Sequence, residues 1–214
     1  MTQKTAQPSP AIKGLYALTP DSLNTEDLLL RVRQALKGGV QVLQYRNKIA
    51  DPALRLAQAH ALRSLTRMFE TTFIVNDDAQ LAAAAGADGV HLGKDDGDVK
   101  SARAILGSSR QIGVSCYNQL RLAHDAVAAG ADYVAFGAFY TSTVKPDAAA
   151  ATADLLRRAR AEISVPIVAI GGITSENGAV LVEAGADALA VISAVFDAAD
   201  IQLAAKNLSK LFRK

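Results

Sequence analysis

Short apolar runs alternate with amphipathic stretches along nearly the whole chain. Leu15-Tyr16-Ala17-Leu18-Thr19 is closed by Pro20 and reads as a strand. Between Thr25 and Lys37, Leu28, Leu29, Val32 and Leu36 recur at helical spacing, and Gly38-Gly39 stop the helix. Val40 and Val42 open a second strand that runs into Gln44. Asp51-Pro52 then supplies a cap and a first-turn proline for a helix predicted to reach about Phe69.

The alternation continues to the C-terminal end. Further strands are predicted at Phe73–Val75, Gly89–Leu92, Gln111–Val114, Tyr133–Phe136, Pro166–Ile170 and Ala188–Ile192. The helices between them are predicted at Gln80–Ala85, Val99–Leu106, Leu120–Ala129, about Ala149–Ala161, and from a Thr174 cap to Ala184; Ile201–Phe212 closes the chain. Ala85-Gly86-Ala87-Asp88, Ala129-Gly130-Ala131-Asp132 and Ala184-Gly185-Ala186-Asp187 repeat one turn between a helix end and the next strand. Eight such units without a linker predict an α/β chain closed into a single (β/α)8 TIM barrel. An open doubly wound sheet is the weaker reading, because no Gly-x-Gly-x-x-Gly follows the first strand.

Composition narrows the class without changing the fold. The chain has 214 residues, half of them apolar, which suits one domain: a barrel over 12–214 behind a flexible N-terminal arm, 1–11. A net charge of +2 is too mild for a nucleic-acid surface. The lone Cys116 excludes an internal disulfide framework, and no apolar run reaches the roughly 18 residues of a membrane span. The first eleven residues carry two prolines and no hydrophobic signal region, so a cytoplasmic location is expected.

In a barrel of this kind ligands sit at the C-terminal ends of the strands. Gln44, Arg46 and Lys48 follow strand two at alternate positions and converge on one side, with Tyr45 and Asn47 facing elsewhere. Two cations and an amide suit a polyphosphate; solvated loop charge is the plainer alternative. Asp77 and Asp96 follow strands three and four, neighbours roughly 4.8 Å apart, and two such carboxylates suit Mg²⁺. Helix capping is the competing role, and Asp78, Asp95 and Asp98 fit caps or solvated charge better. His91 lies inside strand four and reads as a hydrogen-bonded core histidine rather than a base. Gly171-Gly172 and Ile192-Ser193 end strands seven and eight, the usual phosphate corner of such barrels; that Gly171-Gly172 merely make the turn is the plainer alternative. No nucleophile and base stand together, so covalent catalysis has no candidate.

With these segments in order, the chain resembles the thiamine-phosphate synthase family. The resemblance is carried by Gln44-Tyr45-Arg46-Asn47-Lys48, Asn76-Asp77-Asp78, Gly89-Val90-His91-Leu92-Gly93 with Asp96, Ser115, Lys145-Pro146, Gly171-Gly172-Ile173 and Ile192-Ser193. It implies a transferase that joins 4-amino-5-hydroxymethyl-2-methylpyrimidine diphosphate to a thiazole phosphate, releasing pyrophosphate. Gln44, Tyr45, Arg46, Asn47, Lys48, Asn76, Ser115 and Lys145 would then hold the pyrimidine diphosphate, with Arg46, Lys48, Ser115 and Lys145 nearest the chemistry. Asp77 and Asp96 would hold Mg²⁺, and Ser142, Thr143, Val144, Gly172, Ile192 and Ser193 the thiazole phosphate. Val144 and Lys94 depart from the family's usual Thr and Gln. The partners implied are the two small-molecule substrates, with neither nucleic acid nor membrane; association into a homo-oligomer stays open. A thiazole phosphate tautomerase and a non-catalytic binder of thiamine precursors are the rival readings; the tautomerase would not need a diphosphate clamp beside an acidic pair, and Val144 would be the sign of the binder.

Overall fold

The computed structural model describes residues 12–140 and 151–212. The expected N-terminal arm, and the expected site residues Ser142, Thr143, Val144 and Lys145, lie outside these. Eight parallel strands close into a barrel in chain order: β1 Gly14–Leu18, β2 Val42–Tyr45, β3 Thr72–Asn76, β4 Gly89–Leu92, β5 Gln111–Tyr117, β6 Tyr133–Phe136, β7 Ile167–Ile170 and β8 Ala188–Val191. β8 returns to pair with β1, Leu15 beside Leu189, so the sheet has no free edge.

Around it lie α1 Thr25–Lys37, α2 Pro52–Met68, α3 Ala79–Ala84, α4 Val99–Leu106, α5 Leu120–Ala128, α6 Ala153–Glu162, α7 Ala179–Glu183, α8 Ser193–Phe196 and α9 Ile201–Ser209, ending in a 3₁₀ turn, Lys210–Phe212. Both faces of each strand are covered, which is why the strands read as unbroken apolar runs. Leu15, Ala17, Leu43, Phe73, Val75 and Val90 face the helices. Tyr16, Val42, Ile74, Tyr133, Val168 and Ala190 fill the barrel interior.

Three elements differ from the sequence expectation. Thr174 does not cap α7: the Asn177 carboxamide accepts from its N–H at 2.8 Å in a turn, and the helix starts at Ala179. α6 starts at Ala153 behind a Thr152 cap, later than the predicted Ala149. A short extra helix, α8, follows β8; Arg31 of α1 donates to the Phe196 carbonyl at 2.5 Å and its guanidinium lies 5.9 Å from the Phe196 ring centre. The predicted caps Asp51, Asp78 and Asp98 are in place, each accepting the N–H three residues on.

The face opposite the strand C-termini carries one device three times. Asp88, Asp132 and Asp187, the last residues of the repeated turns, each donate a backbone N–H at 2.8 Å to Phe73, Ile112 and Ile167 respectively. Each carboxylate accepts back from that same strand residue, at 2.8, 2.7 and 2.7 Å. An arginine from an even-numbered helix then closes the set: Arg63 of α2 in a two-pronged pair at 2.7 Å, Arg103 of α4 at 2.6 Å and Arg160 of α6 at 3.3 Å. These clamps fix where each strand starts, and hence which residues emerge at the opposite mouth.

Candidate active site

The mouth is built outward from β2. Thr19, just past β1 and fully buried, donates its hydroxyl to the Arg46 carbonyl at 2.8 Å and accepts the Arg46 N–H at 2.9 Å. Asp21 takes the Arg46 guanidinium at 3.1 and 3.2 Å and the Lys48 N–H at 2.7 Å. Beneath the loop, Gln58 of α2 is a buried hub. Its carboxamide oxygen accepts from the Tyr45 hydroxyl at 2.8 Å and Asn47 Nδ2 at 2.9 Å, and its nitrogen donates to the Ser22 carbonyl at 3.1 Å. Tyr45 and Asn47 border the mouth, yet their side-chain polar atoms are engaged by the protein itself. They hold the loop that presents Arg46 and Lys48, as strand alternation predicts. Burial pushes the Tyr45 hydroxyl up to about 12, so it stays a neutral donor.

β3 and β4 bring the acidic pair together. The Asp77 N–H donates to the His91 carbonyl at 2.7 Å, extending the ladder one residue beyond β3. That bond holds Asp77 at φ 65°, a left-handed conformation unusual outside glycine, and turns its carboxylate inward. Asp96 folds back on its own turn, accepting the Gly93 N–H at 2.9 Å. Its carboxyl lies above the ordinary carboxylate range, first through loss of solvent and then through the hydrogen bond and charge of Asp77. Lys48 pairs with Asp77 from the other side. Lys48, Asn76, Asp77, Asp78, Asp96 and Arg55 line one cavity of about 490 Å³ at the C-terminal ends of β2, β3 and β4. Two carboxylates on one cavity, with a cation already against one of them, fit a hard divalent ion such as Mg²⁺ in their donor chemistry.

Not every predicted residue reaches that cavity. The Arg46 side chain turns to Asp21, and Gln44 points into the barrel, where its Nε2 donates to the Tyr16 hydroxyl at 2.7 Å. Ser115 lies 2.9 Å from His91 Nε2. Gly172 has φ 62° and offers its carbonyl to Asn177 Nδ2 at 3.0 Å. Ile192 packs in the barrel interior, and Ser193 opens α8. Thus Gly172, Ile192 and Ser193 stand on a different arc of the mouth from the acidic pair. Thr19, Asp21, Ser22 and Gln58 went unnoticed in the sequence. Gln58 alone carried a signal, a polar residue on the stripe with Ala59, Leu62 and Leu65.

His91 is fully inside and its ring is held neutral, burial pulling its pKa down from 6.5 to about 4. The neutral ring is favoured in the fold, so this contribution to stability is present above pH 6.5 and is lost as pH falls through 4. The full loss is about 3 kcal/mol at ~1.4 kcal/mol per unit. Denaturant melts of wild type and His91→Leu at pH 7 and pH 4 check this: the wild type should lose that much more than the variant. Equal losses would remove His91 from the acid sensitivity.

Comparison with known proteins gives relatives of one kind. A family model described as thiamine monophosphate synthase matches residues 15–195. The chain is 56% identical to a thiamine-phosphate synthase of Thiobacillus denitrificans, covering 93% of this chain and 94% of the other. It is 54% identical to a protein of the same name from Methylobacillus flagellatus, covering 95% and 97%. The structure of a thiamine phosphate pyrophosphorylase from Pyrococcus furiosus superposes with a TM-score of 0.84 at 36% identity, covering 92% and 94%. On its matched span, its relatives and its barrel, the chain belongs to the thiamine monophosphate synthase family.

Proposed function

We propose that this chain joins the pyrimidine diphosphate to the thiazole phosphate at the mouth of the barrel, with the diphosphate held over β2, β3 and β4. The single observation that supports this placement is the cavity shared by Lys48, Asn76, Asp77 and Asp96. The carbon–oxygen bond between the pyrimidine methylene and the diphosphate breaks first, and the aminopyrimidine spreads the positive charge. The thiazole nitrogen then forms the new carbon–nitrogen bond with a lone pair it already has, so no protein base is needed. What the protein supplies is charge against the leaving group and orientation of the acceptor. Lys48 and Arg46 exchange their carboxylate partners, Asp77 and Asp21, for diphosphate oxygens. Asp77 and Asp96 would hold Mg²⁺, which when bound neutralises leaving-group charge. Ser142, Thr143, Val144, Gly172, Ile192 and Ser193 are assigned to the thiazole phosphate, Lys145 to the diphosphate, and a cytoplasmic location suits such an enzyme. Among the described residues no helix is long and apolar enough to cross a membrane.

Mixing purified protein with both substrates and Mg²⁺ should release pyrophosphate and thiamine phosphate in equal amounts. Isomerisation of the thiazole alone, or binding without turnover, would reject the transferase. Arg46→Ala should raise the KM for the pyrimidine diphosphate about ten- to hundredfold, the value of one charge-assisted contact, and leave the thiazole KM nearly unchanged. Equal rises for both substrates would show that Arg46 belongs elsewhere.

A further inference from the structure

A line of polar side chains crosses the barrel interior from Gln44 of β2 to Ser115 of β5. Gln44 Nε2 donates to the Tyr16 hydroxyl at 2.7 Å, and the Tyr16 and Tyr133 hydroxyls are 3.0 Å apart. The Tyr133 hydroxyl is 3.1 Å from His91 Nδ1, and His91 Nε2 is 2.9 Å from Ser115 Oγ. Five strands contribute, and all members but Ser115 are buried. The sequence makes room for it: a Cβ at Gly113 would fall 2.0 Å from Tyr133 Cζ. At the far end Gln44 Oε1 is buried with no partner among the described residues. An orphan acceptor of this kind is unfavourable until a donor arrives.

Counting protons gives the line a direction. A tyrosine hydroxyl has one proton to donate. Gln44 donates to Tyr16, so the proton of Tyr16 goes to Tyr133, and that of Tyr133 goes to His91 Nδ1. Nδ1 is then a bare acceptor and the ring proton sits on Nε2, where it is donated to Ser115 Oγ. The serine keeps its own proton free for a ligand. Turning the Gln44 amide over would reverse every bond at once, making Gln44 the donor end and Ser115 the acceptor end. The two ends are therefore complementary and are set together.

We propose that Tyr16, Tyr133 and His91 form a polarity relay of positioning residues that keeps Gln44 an acceptor and Ser115 a donor towards the substrate ring. This rests on the reaction proposed above and names the part of the substrate that is read. A 4-aminopyrimidine offers an amino donor and ring-nitrogen acceptors; the 4-oxo ring of the same size offers a carbonyl acceptor and an N–H donor. The amino nitrogen pushes its lone pair towards the methylene as the diphosphate leaves, more strongly than the oxygen of the oxo ring does. An acceptor on its N–H strengthens as that charge grows, which favours the transition state over the ground state. A relay of fixed direction thus selects the amino ring, by leaving a buried polar group unpaired against the oxo ring.

The test joins an NMR measurement to kinetics on the intact protein. With ¹⁵N-labelled histidine, long-range proton–nitrogen correlations should show His91 as a single tautomer protonated at Nε2. Tyr133→Phe should mix the tautomers and lower kcat/KM for the amino substrate about tenfold, one hydrogen bond's worth. It should also narrow the preference for the amino over the 4-oxo diphosphate by a similar factor, with the thiazole KM unmoved. His91→Gln, which offers an acceptor and a donor, should recover part of the preference lost in His91→Leu. A wild-type ring protonated at Nδ1 or on both nitrogens overturns the relay, as does a Tyr133→Phe protein with unchanged selectivity. If Tyr133→Phe fails to fold, Tyr16→Phe and the wild-type spectrum answer the question in the same way. Absence of turnover by wild-type protein would sink the proposed reaction instead, and the spectrum, which needs no substrate, tells the two failures apart.

Discussion

Asp96→Asn is expected to lower turnover by about two to three orders of magnitude, roughly 3–4 kcal/mol of transition-state stabilisation. The amide keeps an oxygen for the Gly93 N–H, so the turn that accepts it at 2.9 Å survives. What disappears is one of the two carboxylate charges proposed to hold Mg²⁺ against the leaving diphosphate. The same change should leave the melting temperature of chelator-treated protein at pH 7 unchanged or higher. Asp77 and Asp96 repel when both are ionised, and the raised Asp96 carboxyl records that strain along with its loss of solvent. A raised carboxylate contributes stability below its ordinary pKa and loses that contribution as pH climbs through the raised value. Metal-free wild type should therefore soften between acidic and neutral pH, and Mg²⁺ should restore it. Steady-state rates across a Mg²⁺ series, beside thermal melts with and without chelator, decide the matter. A variant with wild-type turnover, or wild-type rates indifferent to chelation, would remove the acidic pair from the reaction.

Asp88→Ala should do the opposite, unsettling the fold and sparing the chemistry. Arg63 and Asp88 side chains are only 16% and 18% exposed, and the carboxylate also satisfies the Phe73 N–H. Its removal strands a guanidinium and a strand donor together, a loss of about 3 kcal/mol. For a chain of this length that is a fall of ~6–12 °C in Tm. kcat and both KM values should hold within about twofold at temperatures below the transition, because Asp88 stands on the face away from the mouth. Calorimetry and steady-state kinetics on one preparation test both halves. A shift of less than about 2 °C would mean that the arginine clamp is ornamental.

Much of this was readable in the chain because parallel strands covered on both faces print themselves as apolar runs bounded by glycine turns. The alternation rule also separated Arg46 and Lys48 from Tyr45 and Asn47 on sequence alone. Four things were hidden. α8 spans four residues, barely one helical turn, so no periodicity could announce it. Thr174 looks like a helix cap, and only the nearby Asn177 carboxamide, bonded to the Thr174 N–H, shows that the chain makes a turn first. Tyr16 and Tyr133 count as core by composition, and their hydroxyls become informative only when the barrel closes and brings residues 117 apart in sequence within 3.0 Å. The carboxylate of Asp21 was overlooked for a simpler reason: its partners, Arg46 and the Lys48 N–H, belong to a loop that meets it only in the fold.

The three aspartate clamps recur at every second unit, each tying an even helix to the odd strand beside it and to the turn before the next strand. Each is therefore local in sequence, and a quarter of the barrel can secure itself before the circle is complete. Contacts of short range form early and cheaply in entropy. Native-state hydrogen exchange should accordingly release amide protons in blocks that follow the quarters, with Phe73, Ile112 and Ile167 each marking the slow heart of its own block.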